Sequence, residues 1–175
     1  MTRFLALLAS LFALALVAGC GDDEDTDKSS TSATTATTAT SSTTPASVGQ
    51  YKSEITQISN EFASAGTGFR DSVSAKSTPQ QAATALAAFQ RKVVGLGGRM
   101  DGLDPPGNAA APHRALSSSF RDIAAACQPS IDAGREGDRT KLRTALLGLQ
   151  SKLNGSLGAR AKQAASQIDQ ALAAQ

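Results

Sequence analysis

The chain has 175 residues, a formal net charge of +2, 41% hydrophobic residues and 4% aromatic ones, with no tryptophan. That length supports one core and not two. The few scattered aromatics exclude the interleaved basic and aromatic pattern of a nucleic-acid surface, so no nucleic-acid partner is expected.

The N-terminus carries the most specific signal. Arg3 is basic, residues 4–17 are apolar, Ala18 and Gly19 are small, and Cys20 follows. A secretory signal peptide has this order of basic start, apolar stretch and small residues before the cut. A membrane-spanning helix needs about 20 apolar residues, and the acids Asp22, Asp23, Glu24 and Asp25 end the run too early. Val17-Ala18-Gly19-Cys20 resembles the lipobox of bacterial lipoproteins. The resemblance implies export, cleavage before Cys20 by the lipoprotein signal peptidase, and a diacylglyceryl group on the Cys20 thiol. Two acyl chains give stable anchoring where one gives only marginal binding. The expected location is the outer face of a bacterial cell membrane, with residues 1–19 as signal peptide. Ordinary secretion, with Cys20 a bystander, is the weaker alternative.

Residues 20–45 read as a tether. An acidic cluster opens it, Asp22 to Asp25 with Asp27, and an almost pure Ser/Thr/Ala tract follows. It contains no large apolar residue and cannot offset the entropy of ordering. Sugars on the Thr/Ser tract are one possibility, and an unmodified spacer is the simpler one. The tether has a net charge of −4, whereas the chain from Ala46 onward carries +5.

Residues 46–175 follow the helical period throughout, and no stretch alternates with period two. The first segment places apolar residues at Val48, Tyr51, Ile55, Ile58, Phe62, Ala65, Phe69 and Val73. The second has Ala82, Leu86, Phe89, Val93, Leu96, Met100 and Leu103, and the third Leu116, Phe120, Ile123, Cys127 and Ile131. The fourth has Leu142, Leu146, Leu149, Leu153, Leu157, Ala161, Ala164, Ile168 and Ala171. The expected fold is an all-α, antiparallel up-down four-helix bundle with short connections. Ser47 with Gln50 and Thr78 with Gln81 suit capping boxes, and Asp138 suits the cap of the fourth helix. Pro79 and Pro112 suit first helical positions. Pro129 should kink the third helix or end it, with a kink preferred because Ile131 keeps the core phase. The fourth helix should run unbroken for about 35 residues, or roughly 50 Å. Counting reversals puts the tether, the 103–112 loop and the C-terminus at one pole. The 74–77 and 134–137 loops fall at the other.

Glycines recur inside these helices. Thr144, Gly148, Ser151, Gly155 and Gly158 form a small-residue stripe on the fourth. Such a stripe allows close approach of another helix, but a compositional bias toward Gly and Ala is the simpler account.

Catalytic and metal constellations are not visible. His113 is the only histidine, so a histidine cluster for zinc cannot form. No Glu-x-x-His pair and no Cys-x-x-Cys-His occurs. Met100 and His113 fall near one pole on adjacent helices and form the one weak candidate pair for haem or copper. The simpler reading of His113 is a partly buried, hydrogen-bonded side chain beside the double proline. Cys127 sits in the core stripe and reads as an inert thiol. No cofactor, no metal and no enzymatic activity are expected.

Leu103-Asp104-Pro105-Pro106, followed by small residues and His113, resembles the central turn of small helical lipoproteins of actinobacteria. The resemblance covers that turn and the four-helix layout, and Pro129 departs from it. It implies an envelope protein of undefined role. The expectation is a non-enzymatic helical module that binds another envelope component; a small-ligand carrier with its site between the helices is the alternative.

Overall fold

A computed structural model describes residues 47–74 and 76–174. The expected signal peptide at 1–19, the motif Val17-Ala18-Gly19 with Cys20, and the tether at 20–45 lie outside the described residues.

The described chain is all helical. The elements are α1 (Val48–Ser72), α2 (Pro79–Asp101), a 3-10 turn (Gly107–Ala109), α3 (Ala110–Arg135), α4 (Arg139–Asn154) and α5 (Ser156–Ala173). They form four helical arms, the fourth made of α4 and α5 in series. Contacts between arms run in opposite senses. On α1 and α2, Phe62 and Phe69 meet Phe89 while Glu61 meets Arg99. On α2 and α3, Asp101 meets Ser117 while Gln90 meets Gln128. The antiparallel up-down order follows from these pairs.

Each start has its local cause. Thr78 Oγ1 accepts from the Gln81 backbone N–H, and the Gln81 side chain accepts from the Thr78 N–H, a complete capping box ahead of Pro79. Ser47 Oγ accepts from the Gln50 N–H without the reciprocal bond. Asp138 Oδ1 accepts from the backbones of both Thr140 and Lys141. Pro112 is the third residue of α3, two later than expected, because the 3-10 turn leads directly into Ala110. It still lies in the first turn, where a missing N–H costs nothing.

Most of the apolar stripes meet in one core, and Ala82, Ala133 and Leu142 form a small separate cluster. Tyr51, Ile55, Ile58, Phe62, Leu86, Phe89, Val93, Met100, Phe120, Ile123, Cys127, Leu149, Leu153 and Ile168 belong to a single buried cluster. Phe62 stands edge-on to Phe120, with ring centroids 5.4 Å apart. The closest helix pair is α2 with α3; α4 and α5 pack on α3, and α1 packs on α2. Small residues permit the α2–α3 approach. A Cβ added at Gly134 would lie 2.7 Å from the Ala83 Cβ, and one at Gly97 would lie 3.3 Å from the Phe120 Cβ.

Of two expectations about the helices, the preferred continuation past Pro129 stands and the unbroken fourth helix does not. At Pro129 the helix does not end: α3 runs on to Arg135 and Ile131 is buried. The proline and Ala125, whose carbonyl loses its helical donor, are both exposed, so water can serve that carbonyl. The fourth arm is not one helix. It breaks at Gly155, whose φ of −97° and ψ of −123° leave the helical region. The break turns the Leu153 carbonyl toward Gly158, where only a glycine leaves room. The small-residue stripe therefore does not serve a neighbouring arm. Thr144, Gly148, Ser151 and Gly155 are exposed.

Candidate functional site

The two poles assemble as the reversal count requires. Gln80, at the start of α2, lies against Gly137, between α3 and α4. At the opposite pole Tyr51 of α1, Met100 of α2 and His113 of α3 meet, and α5 packs on the 3-10 turn beside them.

His113 is more deeply placed than a partly buried side chain, with 4% of its surface exposed, and Tyr51 is exposed by 1%. Tyr51 Oη lies 2.9 Å from His113 Nδ1. A backbone hydrogen bond joins the ring to Met100. Both bonds suit a neutral imidazole carrying its proton on Nε2: Nε2–H donates to the Met100 carbonyl and Tyr51 Oη–H donates to Nδ1. Burial pushes the His113 pKa below its ordinary value. The Met100 bond and the Asp101 charge oppose that shift, and the Arg114 charge adds to it. Burial also pushes the Tyr51 hydroxyl up to about 12, so it stays neutral. Met100 and His113 do come together, as their sequence positions suggest. The contact runs through the Met100 backbone, however, and Nδ1 is engaged by Tyr51. The ring is therefore placed as a packing and hydrogen-bonding group. Among the described residues, no group of three or more His, Cys, Asp or Glu side chains is arranged to hold a metal ion.

Beside this pole Asp101, the last residue of α2, accepts a hydrogen bond from the buried Ser117 hydroxyl. It also faces Arg121 at 3.8 Å. Cys127 is fully buried; its Sγ–H donates to the Ile123 carbonyl at 3.3 Å, and burial raises its pKa to about 11. A thiol held protonated in this way is a poor nucleophile.

A groove runs along the seam of α1 and α2. Its larger part has a volume of about 1010 Å³ and is lined by Lys52, Ser53, Gln57, Asn60, Lys92 and Arg99, among others. A second stretch of about 560 Å³ continues past Ala65 toward Ser72. Arg99 Nη1 donates to both Glu61 carboxylate oxygens, at 2.7 and 2.6 Å, and Glu54 lies 3.6 Å from Nη2. Lys52 and Lys92 have no ion-pair partner among the described residues. Sequence reasoning missed this groove because it is a joint property of two helix faces. The nearest signal was the run of small and polar residues at Ser53, Thr56, Asn60, Ser64 and Gly95, all outside the apolar stripes.

No protein-family profile matches the chain, and no curated protein and no solved structure matches it significantly. None of the described helices is long and apolar enough to cross a membrane.

Proposed function

We propose that the chain is a lipid-anchored, non-enzymatic protein of the bacterial cell envelope whose helical bundle binds another envelope component. The observation that carries this reading is Cys20, placed after Val17-Ala18-Gly19 at the end of an apolar run and before an acidic, Ser/Thr-rich tether. The lipid on Cys20 holds the protein to the outer face of the membrane, and the tether gives the bundle reach. The arrangement of His113, Ser117 and Cys127 supports a non-catalytic role, since each is engaged in the core. The α1–α2 groove is the surface for a partner, with Lys52 and Lys92 free to meet its charge. A small-ligand carrier is the second reading. It is favoured by the groove's volume, which is in the range of ligand sites, though most of the residues along it are of polar or charged types.

The test has two parts. Labelling cells with a fatty-acid analogue should mark the wild-type chain and leave Cys20→Ala unmarked and uncleaved; label retained in the variant refutes the anchor. Affinity capture from solubilised envelopes, with the lipidated protein as bait, should recover a partner whose yield falls with Lys92→Glu. Recovery unaffected by that change refutes the groove as the binding surface.

A further inference from the structure

Tyr51 and His113 stand 62 residues apart in sequence and join the first turns of α1 and α3. The backbones of these two helices make little direct contact compared with the other neighbouring pairs. α1 packs on α2, and it reaches α3 through long side chains: Phe62 against Phe120 and Tyr51 against His113. The Phe62 contact lies about three turns further along α1, so at its entry the helix is tied to α3 by Tyr51.

The hydrogen-bond pattern there tolerates only one charge state of the ring. A neutral His113 accepts from Tyr51 at Nδ1 and donates to Met100. A proton added to Nδ1 makes both ring nitrogens donors. Tyr51 must then accept, and its own hydroxyl proton has no other partner among the described residues. A positive charge also appears on a ring with 4% of its surface exposed, where burial disfavours it. The charges that act on the ring are Asp101 from α2, which favours its protonation, and Arg114 from α3, which opposes it. Asp101 is already engaged by Ser117 and Arg121, and Arg114 repels the new charge.

We propose that the Tyr51–His113 contact is an acid-sensitive latch: it fastens the N-terminal turns of α1 to the bundle and releases them when His113 takes up a proton. Ser47 caps α1 directly before this latch, so release would free the capped first turn of α1 from the bundle. The open form binds its proton with the ordinary histidine affinity, near pH 6.5. The latched form binds it more weakly. The latch is therefore fully closed above about pH 6.5 and weakens as the pH falls below it. Each pH unit raises the opening constant by up to about tenfold until the lowered pKa of the closed form is reached.

Hydrogen–deuterium exchange of the full chain in detergent, read between pH 7.5 and 5 and corrected for intrinsic exchange, tests the proposal. Peptides over residues 48–58 should lose protection by up to about tenfold per unit below pH 6.5, while those of α2 and α3 hold theirs. Tyr51→Phe should lower protection of 48–58 at pH 7.5 as well. His113→Gln should remove the pH dependence. If that variant fails to fold, the imidazole proton resonance of the wild type supplies the measurement: it should titrate below pH 6.5 with the same midpoint as the amides of α1. Protection of 48–58 that stays constant to pH 5, or that falls equally in every helix, overturns the latch. So does a pH dependence that survives in His113→Gln.

Discussion

Gly148 and Gly158 lie ten residues apart on the same arm, and on a continuous helix the sequence would give them the same role. The structure separates them. Gly148 is exposed in the middle of α4, and a Cβ there meets nothing within 4 Å. Gly148→Ala should therefore gain the full helix-propensity difference, about 1 kcal/mol. For a folded unit of about 130 residues, the unfolding entropy near 60 °C is roughly 270 cal/mol/K, so that gain should raise Tm by about 4 °C. Gly158 is the third residue of α5, and a Cβ there falls far inside contact with the Leu153 carbonyl turned inward by the break. A backbone oxygen cannot swing aside like a flexible side chain. Gly158→Ala must reshape the break at about the cost of overpacking, up to 3 kcal/mol, against a propensity gain of at most about 1 kcal/mol. The expected net loss is about 2 kcal/mol, or about 7 °C in Tm. Thermal melts followed by far-ultraviolet circular dichroism on the chain from Ala46 onward measure both. If Gly158→Ala stabilises as much as Gly148→Ala, the arm is one continuous helix and the break at Gly155 is wrong.

Two further outcomes are expected. Cys127 should resist a thiol reagent at pH 8 in the folded protein and react fully in urea, because it is buried and its thiolate form is disfavoured up to about pH 11; rapid reaction without denaturant would refute its placement. Spin labels at Lys76→Cys and Ala111→Cys of the lipidated protein should put position 111 nearer the bilayer, since it shares a pole with the start of α1 and position 76 lies at the other; power saturation showing the reverse would refute the proposed orientation on the membrane.

The helical stripes were legible because core burial imposes a period that survives in a single sequence. Each apolar position that the spacing assigned to a helix is buried or half-buried, from Val48 to Ala171. The caps were legible for a similar reason: Thr78, Gln81 and Asp138 act within three residues of themselves. What stayed hidden depends on three-dimensional register. The Arg99–Glu61 pair spans 38 residues, and so does the Gln90–Gln128 contact between α2 and α3. The break at Gly155 was hidden because the apolar phase runs through it: Leu149 and Leu153 before, Ala161 and Ala164 after. The Tyr51–His113 contact could have been found. Tyr51 lies near the head of one stripe, His113 extends another backward, and the reversal count puts both at one pole.

The glycines show where composition explains a residue and where packing does. Gly134 admits α2 against α3, Gly137 adopts a φ of +77° that turns the chain into α4, and Gly158 accommodates the turned carbonyl. Gly49, Gly68, Gly95, Gly98 and Gly148 meet nothing that a methyl group would disturb. For this second group the compositional account suffices as far as the fold is concerned. Yet Gly49 and Gly95 line the larger part of the α1–α2 groove, and Gly68 lines its continuation. In a helix interior each lowers stability by about 1 kcal/mol relative to alanine. Within the described bundle α1 packs chiefly on one neighbour, is open along its seam with α2 and holds α3 at its first turn through the Tyr51–His113 hydrogen bond. This packing puts the lower local stability in α1 and leaves α2 and α3, the most extensively packed pair, as the rigid one.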